Sequence, residues 1–396
     1  MAKTYRVLTL NKIATSGLKR LPAHRYQVGD KVEHPDAILV RSFNMLEMDI
    51  PSGIVAVARA GAGTNNVPVK KLSERGIPVF IAPGANANAV KELVVAGMLL
   101  ASRNIIPAVR FTAGLKGDDA TMHTLVEDGK KDYAGTELHG RTIGIIGLGA
   151  VGRQVADAAI ALGMQVIGYD PNITVDAAWS LAAQVKKASG IDDLLKHSDF
   201  VTLHIPLLDE TRHLIDDKRV ALMKQGAVLL NFSRDAIVSE DAVIAGLASK
   251  HLRCYVCDFP SNKTKGNDKI ITLPHLGAST AEAEENCAVM VADQLREYLE
   301  HGNITNTVNF PNVSMARESV FRVGIANANV PNMLGQISTA LAKAGVNIHN
   351  MTNKSRGEMA YTLVDIDTAL SDTVIAQIAA IPGVLMVRAL PLEADE

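Results

Sequence analysis

The sequence predicts an α/β protein with a doubly wound parallel sheet and a smaller C-terminal βαββαβ module. Three observations carry this. Apolar strand-like runs alternate with helical segments, most clearly over residues 141–275. One of those strands runs into a helix through a glycine-rich loop. From residue 319 onward the order becomes strand, helix, strand, strand, helix, strand. Alternating strands and helices build βαβ units on a parallel sheet, and βαββαβ is the ferredoxin-like arrangement.

Taken in order, the first 85 residues alternate the runs "YRVLTL", "AILVRS", "GIVAVARA" and "IPVFIAP" with polar or helical segments. "NAVKELVVAGMLLASR" (88–103) has helical spacing and is placed to cross between domains. The strands "TIGIIG", "QVIGYD", "FVTLHIP", "GAVLLNF", "RCYVCDF" and "KIITLPH" follow. A long helix then covers "STAEAEENCAVMVADQLREYLEHG", with Gly302 as its C-terminal stop. The closing module reads "VFRVGIAN", "MLGQISTALAKAG", "MAYTLVDID", "SDTVIAQIAAI" and "VLMVRALP", compact enough to stand as a separate unit.

Size and charge bound the function. The chain has 396 residues, beyond the roughly 250–300 that one core serves, so two or three domains are expected. Net charge is −2 and the basic runs are only pairs. No basic footprint for nucleic acid or a membrane surface is present. Apolar runs stop short of the roughly 18 residues that span a bilayer, and "MAKTYRVLTL" enters a strand without a signal-like segment. A soluble cytoplasmic protein is expected. Cys254 and Cys257 spell C-x-x-C, yet on a strand residues three apart face opposite ways, so buried structural cysteines are expected and no metal site.

The glycine loop is Gly147-Leu148-Gly149-Ala150-Val151-Gly152. Between a strand and a helix, that spacing offers backbone N–H groups and a helix dipole to a pyrophosphate. The next strand ends in Asp170, 18 residues past Gly152. An acid there accepts from ribose hydroxyls and repels a 2′-phosphate, so NAD rather than NADP is expected. The similar "RAGAGTNN" lacks a third glycine and a following acid; its Gly61 reads as a close approach to a ligand.

A nicotinamide dehydrogenase for 2-hydroxy acids needs a cation for the carboxylate and an acid/base for the hydroxyl proton. Both belong at the C-terminal ends of the strands. Arg234 follows "GAVLLNF", and its guanidinium suits a carboxylate. His275 follows "KIITLP", and imidazole titrates near neutrality.

The ordered set "VRS…ARAGAG…GIIGLGAVG…YDP…LHIPL…NFSR…LPHLGAST" resembles the D-isomer-specific 2-hydroxyacid dehydrogenases over essentially the whole chain, and within them the branch that acts on 3-phosphoglycerate. That resemblance implies a flavodoxin-like substrate lobe (1–88 and 277–310), a Rossmann NAD lobe (89–276) and a C-terminal ACT module (319–396). It implies NAD-dependent oxidation of 3-phospho-D-glycerate to 3-phosphohydroxypyruvate, the first step toward L-serine. Arg234 would hold the carboxylate and His275 would be the acid/base. Ala150, Val151, Asp170, Ile205, Pro206, Phe232, Ser233, Asp258, Gly277 and Ala278 would line the cofactor with Gly147, Gly149, Gly152, Arg234 and His275. Arg41, Ser42, Arg59, Gly61 and Asn86 would hold the substrate, and Lys131 would add a cation, to the neighbouring subunit's site.

One departure stands out. Relatives carry a glutamate shortly after the strand written here as "YVCDF", where it supports the histidine; "CDFPSNKTKGNDK" has none. Asp258 and Asp268 are the substitutes to consider, the alternative being a histidine that works without a carboxylate partner, and losing the partner should lower the imidazole pKa. The module resembles an ACT domain, whose serine site would fall at Asn327 (in place of the relatives' histidine), Asn329 and Asn347, between two subunits of a homodimer or homotetramer; the alternative is a module that only joins subunits through its sheet edges. The alternatives are a dehydrogenase for another 2-hydroxy acid such as glyoxylate, and a non-enzymatic NAD sensor.

Overall fold

The computed structural model describes residues 4–391. The chain forms two compact units, residues 1–86 with 281–396, and residues 87–280.

In the first unit, strands β1 (Tyr5–Leu10), β2 (Tyr26–Gly29), β3 (Ala37–Val40), β4 (Ala56–Arg59) and β5 (Val79–Phe80) form a sheet in the order β2-β1-β3-β4-β5. All its pairings are parallel, the flavodoxin-like order. Every residue of β3 is buried, as expected of a central parallel strand covered on both faces. The helix Ala281–His301 lays Cys287, Ala288, Val291, Leu295 and Tyr298 on this sheet. These positions recur every three or four residues, the stripe of a half-buried helix. The helix stops where the sequence puts its stop: Gly302 has φ +75°, left-handed backbone that glycine adopts without strain.

The C-terminal module has strands β13 (Phe321–Ala328), β14 (Ile348–Arg356), β15 (Met359–Ile366) and β16 (Val384–Pro391) in the antiparallel order β14-β15-β13-β16, with helices Met333–Lys343 and Asp372–Ala379. Val323, Ile325 and Val364 face these helices. The opposite face does not stand free. Ala326, Tyr361 and Leu363 belong to the same core as Phe80, Tyr298 and Phe310.

Polar bonds reinforce the join. Arg322 and Asp365, both fully buried, pair through Nε–Oδ1 at 2.6 Å and Nη2–Oδ2 at 2.9 Å. The remaining donors of Arg322 reach the carbonyls of His301, Met315 and Ala316. Arg388 donates to the carbonyls of Tyr298 and Leu299, 3.0 Å each, and lies 4.3 Å over the Tyr298 ring. The last turn of a helix leaves its carbonyls without intrahelical partners, and here arginines of the module supply them.

In the second unit, β6 (Thr142–Ile146), β7 (Gln165–Tyr169), β8 (Lys186–Lys187), β9 (Phe200–Leu203), β10 (Ala227–Asn231), β11 (Leu252–Cys257) and β12 (Ile270–Thr272) form a sheet in the order β12-β11-β10-β9-β6-β7-β8. It is parallel throughout. One face packs Val94 and Met98 of the helix Ala87–Arg103 with Val155 and Ala159 of the helix Ala150–Ala161; the other packs Leu194, Val220 and Leu247. Cys254 lies in the first core and Cys257 in the second, on opposite faces. Burial pushes the Cys254 thiol up to about 12 and Cys257 above its ordinary value, which keeps both in the unreactive thiol form.

Within the segment expected to be the NAD lobe, residues 104–134 form an arm whose elements the sequence does not single out. Helices Ile105–Gly114 and Asp119–Gly129 and a 3₁₀ turn at Lys130–Tyr133 have no buried residue at all, and Val109 is 60% exposed. Among the described residues no single helix is long and apolar enough to cross a membrane.

Candidate active site

In the sheet of the second unit, the chain runs outward from β6 through β7 to β8, then returns to β9 on the other side of β6. Open α/β sheets bind ligands at the strand C-termini beside such a reversal. The loops after β6 and β9 flank it, and those after β10 and β12 lie further along the same edge.

The loop after β6 is a cradle. Gly147 has φ +93°, and a Cβ there would fall 2.4 Å from the carbonyl oxygen of His204. A Cβ on Gly152 would fall 2.0 Å from the oxygen of Gly147, so helix and loop approach as closely as glycine permits. Gly149 differs: a Cβ there would meet open space. It sits at the start of the helix Ala150–Ala161, which has no side-chain cap. The N–H groups of Ala150 and Val151 are therefore open to an anion. Just past β7, the Asp170 carboxylate accepts from Leu148 N in the glycine loop and from Asn172 N, both at 2.9 Å. This ties the acid to the cradle and leaves it lone pairs for ribose hydroxyls. The residues present fit a dinucleotide with a free 2′-hydroxyl.

After β9, His204 lies under the glycine loop with its Nε2 3.0 Å from Thr202 Oγ1. Burial pushes its pKa down to about 3, so the ring is neutral. Ile205 and the exposed Pro206 follow it.

After β10, a three-residue loop carries Arg234. The fully buried Asn231 donates through Nδ2 to the Arg234 carbonyl (2.8 Å) and accepts from Ser233 N (3.1 Å). Ser233 Oγ donates back to the Leu203 carbonyl at 2.7 Å, and Phe232 packs into the core. Arg234 is thus held by its backbone. Its Nη1 reaches only the Ser233 carbonyl, at 2.6 Å, leaving donors for a carboxylate. Sequence reasoning singled out Arg234 and missed Asn231, an amide ending an otherwise apolar strand.

After β12 stands His275, with φ +56°. A histidine held in left-handed backbone is uncommon, and such strain concentrates at functional sites. Asp258 holds it. The Asp258 carbonyl accepts from His275 N at 3.0 Å, and its carboxylate oxygens accept from Leu276 N and Gly277 N at 2.7 Å each. Asp258 is 1% exposed, and burial raises its carboxyl above the ordinary value despite these bonds.

Neither candidate acid bonds the histidine ring. Both oxygens of Asp258 are engaged by the backbone, and Asp268 is 97% exposed, with Arg110 at 3.7 Å. Among the described residues the His275 ring has no hydrogen-bond partner; its neighbour is the edge-on Phe259 ring at 5.2 Å. Ala278 follows Gly277 in the same loop.

The substrate candidates of the first unit lie at the C-terminal edge of its own sheet. Arg41 follows β3 and Arg59 ends β4, where Val40 pairs with Arg59 in the ladder. The Arg59 guanidinium folds over Gly61, whose added Cβ would collide with it. Asn66, 8% exposed, donates to the carbonyls of Arg41 (3.1 Å) and Phe43 (2.7 Å) and shapes the loop that carries exposed Ser42. Asn86 is half-buried at the end of the unit. Lys131 belongs to the exposed arm of the second unit.

The effector candidates do not converge within one chain. Asn327 is 1% exposed, donates to the Ala328 carbonyl at 2.7 Å, and leaves its Oδ1 without a partner. Asn329 donates to Gly357 O at 3.0 Å. Asn347 precedes the residue that lies across from Ile366, itself paired with Phe321 at the other end of β13. Six residues along a strand separate the ends by about 20 Å.

The family model for the NAD binding domain of D-isomer specific 2-hydroxyacid dehydrogenases matches residues 95–279. The D-3-phosphoglycerate dehydrogenase of Escherichia coli (strain K12) is 32% identical over 96% of this chain and 94% of its own length. The protein of that name from Methanocaldococcus jannaschii is 35% identical over 80% of this chain, which spans 59% of it. The crystal structure of a glyoxylate reductase from Paecilomyes thermophila superposes with a TM-score of 0.63 at 25% identity, covering 77% of this chain and 98% of that one. With that identity over nearly the whole chain and the match of the NAD binding domain, this chain belongs to the D-isomer specific 2-hydroxyacid dehydrogenases.

Proposed function

We propose that this NAD-dependent dehydrogenase oxidises 3-phospho-D-glycerate to 3-phosphohydroxypyruvate. The observation that carries the reading is the pair of strand-end cations, Arg41 and Arg59, on adjacent strands of the first unit. With Arg234 placed for the carboxylate, this pair is left for a second anionic group, and a phosphate suits guanidinium donors. The names of the relatives, alike over nearly the whole chain, support it.

Held by the glycine cradle and Asp170, NAD would supply the acceptor for the hydride from C2 of the hydroxy acid. The protein's own groups do the rest. Arg234 binds the carboxylate through donors that the Asn231-braced loop leaves free. His275 takes the hydroxyl proton at its ring and returns it in the reverse direction. Phe259 packs against that ring, and the Asp258 clamp fixes the backbone beneath it. No carboxylate bonds that ring among the described residues, and the nearby Asp258 carboxylate acts on it through charge alone.

The exposed arm, with Ile105, Val109 and Leu125 uncovered, serves as the face between two subunits of a homodimer or homotetramer and brings Lys131 to the neighbour's site. The separation of Asn347 from Asn327 suits an L-serine site completed by a second module. The setting is the cytoplasm.

The test is NADH oxidation with 3-phosphohydroxypyruvate beside glyoxylate, pyruvate and 2-ketoglutarate at equal concentration. A clear preference for the phosphorylated acid is expected. Activity only on unphosphorylated acids would move the substrate to the glyoxylate class, which the glyoxylate reductase likeness favours. His275→Ala should abolish turnover with NADH affinity kept; turnover in that variant would remove the histidine from the mechanism.

A further inference from the structure

The helix Ala281–His301 faces the first sheet with Glu284, Cys287, Ala288, Val291, Leu295 and Tyr298, positions that recur every three or four residues. All but one are buried apolar or thiol side chains. Glu284 is the exception, in the first turn, and an acid on such a stripe calls for a partner. It finds Arg41, with Nη2 donating to Oε1 at 2.5 Å. The pair is only partly withdrawn from solvent, with side-chain exposures of 34% and 39%.

A second observation places the pair among the phosphate candidates. The Cys287 thiol, one helical turn further on, is pushed up by burial, lowered by the charges of Arg59 and Arg41, and raised by Glu284. Two arginines, one glutamate and one thiol are thus within electrostatic reach of one another near the ends of β3 and β4, with the Arg41–Glu284 pair in direct contact. Asn66 fixes the Arg41 backbone through its carbonyl, while Glu284 fixes the far end of the side chain. A single Nη2 contact leaves the other N–H groups of Arg41 without a hydrogen-bond partner among the described residues. A guanidinium anchored at one corner with its remaining donors open is preorganised for an anion.

We propose that Glu284 is the positioning residue for Arg41 and thereby sets the preference for a phosphorylated substrate. The inference rests on the reading of Arg41 as a phosphate ligand. It assigns Glu284 no contact with the reacting atoms. Its effect falls on binding of the phosphate, not on proton or hydride transfer.

The experiment compares KM and kcat for 3-phosphohydroxypyruvate and glyoxylate in wild type, Glu284→Ala, Glu284→Gln and Arg41→Ala. Glu284→Ala should raise KM for the phosphorylated acid about tenfold, the scale of one charge-assisted hydrogen bond, without a matching change in kcat or in KM for glyoxylate. Glu284→Gln should restore most of the loss, because its amide oxygen still accepts from Nη2. Equal losses on both substrates, an unchanged or lower KM in Glu284→Ala, or no rescue by glutamine would overturn the proposal. A wild type that shows no preference for the phosphorylated acid would instead refute the substrate reading. A preference lost in Arg41→Ala but kept in Glu284→Ala would refute this inference alone.

Discussion

Asp258→Asn separates what the clamp does for catalysis from what it does for stability. The carboxylate accepts two backbone N–H bonds at 2.7 Å, from Leu276 and Gly277, inside a site 1% exposed. Asparagine has one acceptor oxygen, so one N–H would face an NH₂ group. A buried donor left unpaired costs about 1–3 kcal/mol. The linkage term runs the other way. Burial raises the folded-state carboxyl above its ordinary 3.8, so its contribution to stability is full below 3.8 and is lost as pH rises through the folded value. The variant does not titrate there. It should be less stable than wild type by about 1–3 kcal/mol where the carboxylate is ionised, and by more as pH falls through the folded value. Activity should suffer at every pH, because a loosened loop misplaces His275, and a misplacement near 1 Å costs on the order of a hundredfold. Urea unfolding at a series of pH values, alongside turnover, measures both. A gap that widens with pH, or wild-type turnover in the variant, would refute the reasoning.

Three further outcomes follow from the geometry. Asn231→Ala removes two hydrogen bonds from a fully buried side chain and should cost about 2–4 kcal/mol while raising KM for the keto acid; thermal unfolding and steady-state kinetics check this. Gly152→Ala places a Cβ 2.0 Å from the Gly147 oxygen and should weaken NADH binding by more than about tenfold, read by calorimetric titration. Arg322→Met strands the fully buried Asp365 and should destabilise by about 3–5 kcal/mol, whereas Arg322→Met with Asp365→Leu should recover much of the loss, read by thermal unfolding of the two variants side by side.

The strands of the second unit were legible because each is a short apolar run closed by a loop, and parallel strands buried on both faces must read that way. The end of the long helix was legible because Gly302 is needed in left-handed backbone. The arm at 105–133 was not. Its spacing is helical, but periodicity shows only that one side of a helix is apolar, not that anything within the chain covers it. The join between the module and the first unit escaped for a related reason. Arg322, Tyr361 and Arg388 sit on strands whose alternation is satisfied by either face. Only the partners of their polar atoms, the helix-end carbonyls, show that both faces are buried.

In the candidate site the same divide separates residues placed to meet ligands from residues that hold them. Gly147, Gly152, Asp170, Arg234 and His275 lie in short spacings between a strand and the next helix, where chemistry and local backbone coincide. Their supports lie elsewhere in sequence. Asp258 precedes Leu276 by 18 residues and Glu284 follows Arg41 by 243, and nothing local marks either as a partner. Yet each leaves a trace, a polar group where the pattern asks for an apolar one: Asn231 closing a buried strand, Asp258 following another, Glu284 on the inner stripe of a helix. Because an unpaired polar group buried as deeply as Asn231 and Asp258 is costly, those two imply partners before the partners are known, while the half-exposed Glu284 is marked only by its place on the stripe. Of the three, Glu284 is the one whose partner, Arg41, carries a full positive charge. Its loss should therefore register in the charge of the preferred substrate, whereas Asn231 and Asp258, bonded to the backbone, should register in the placement of Arg234 and His275.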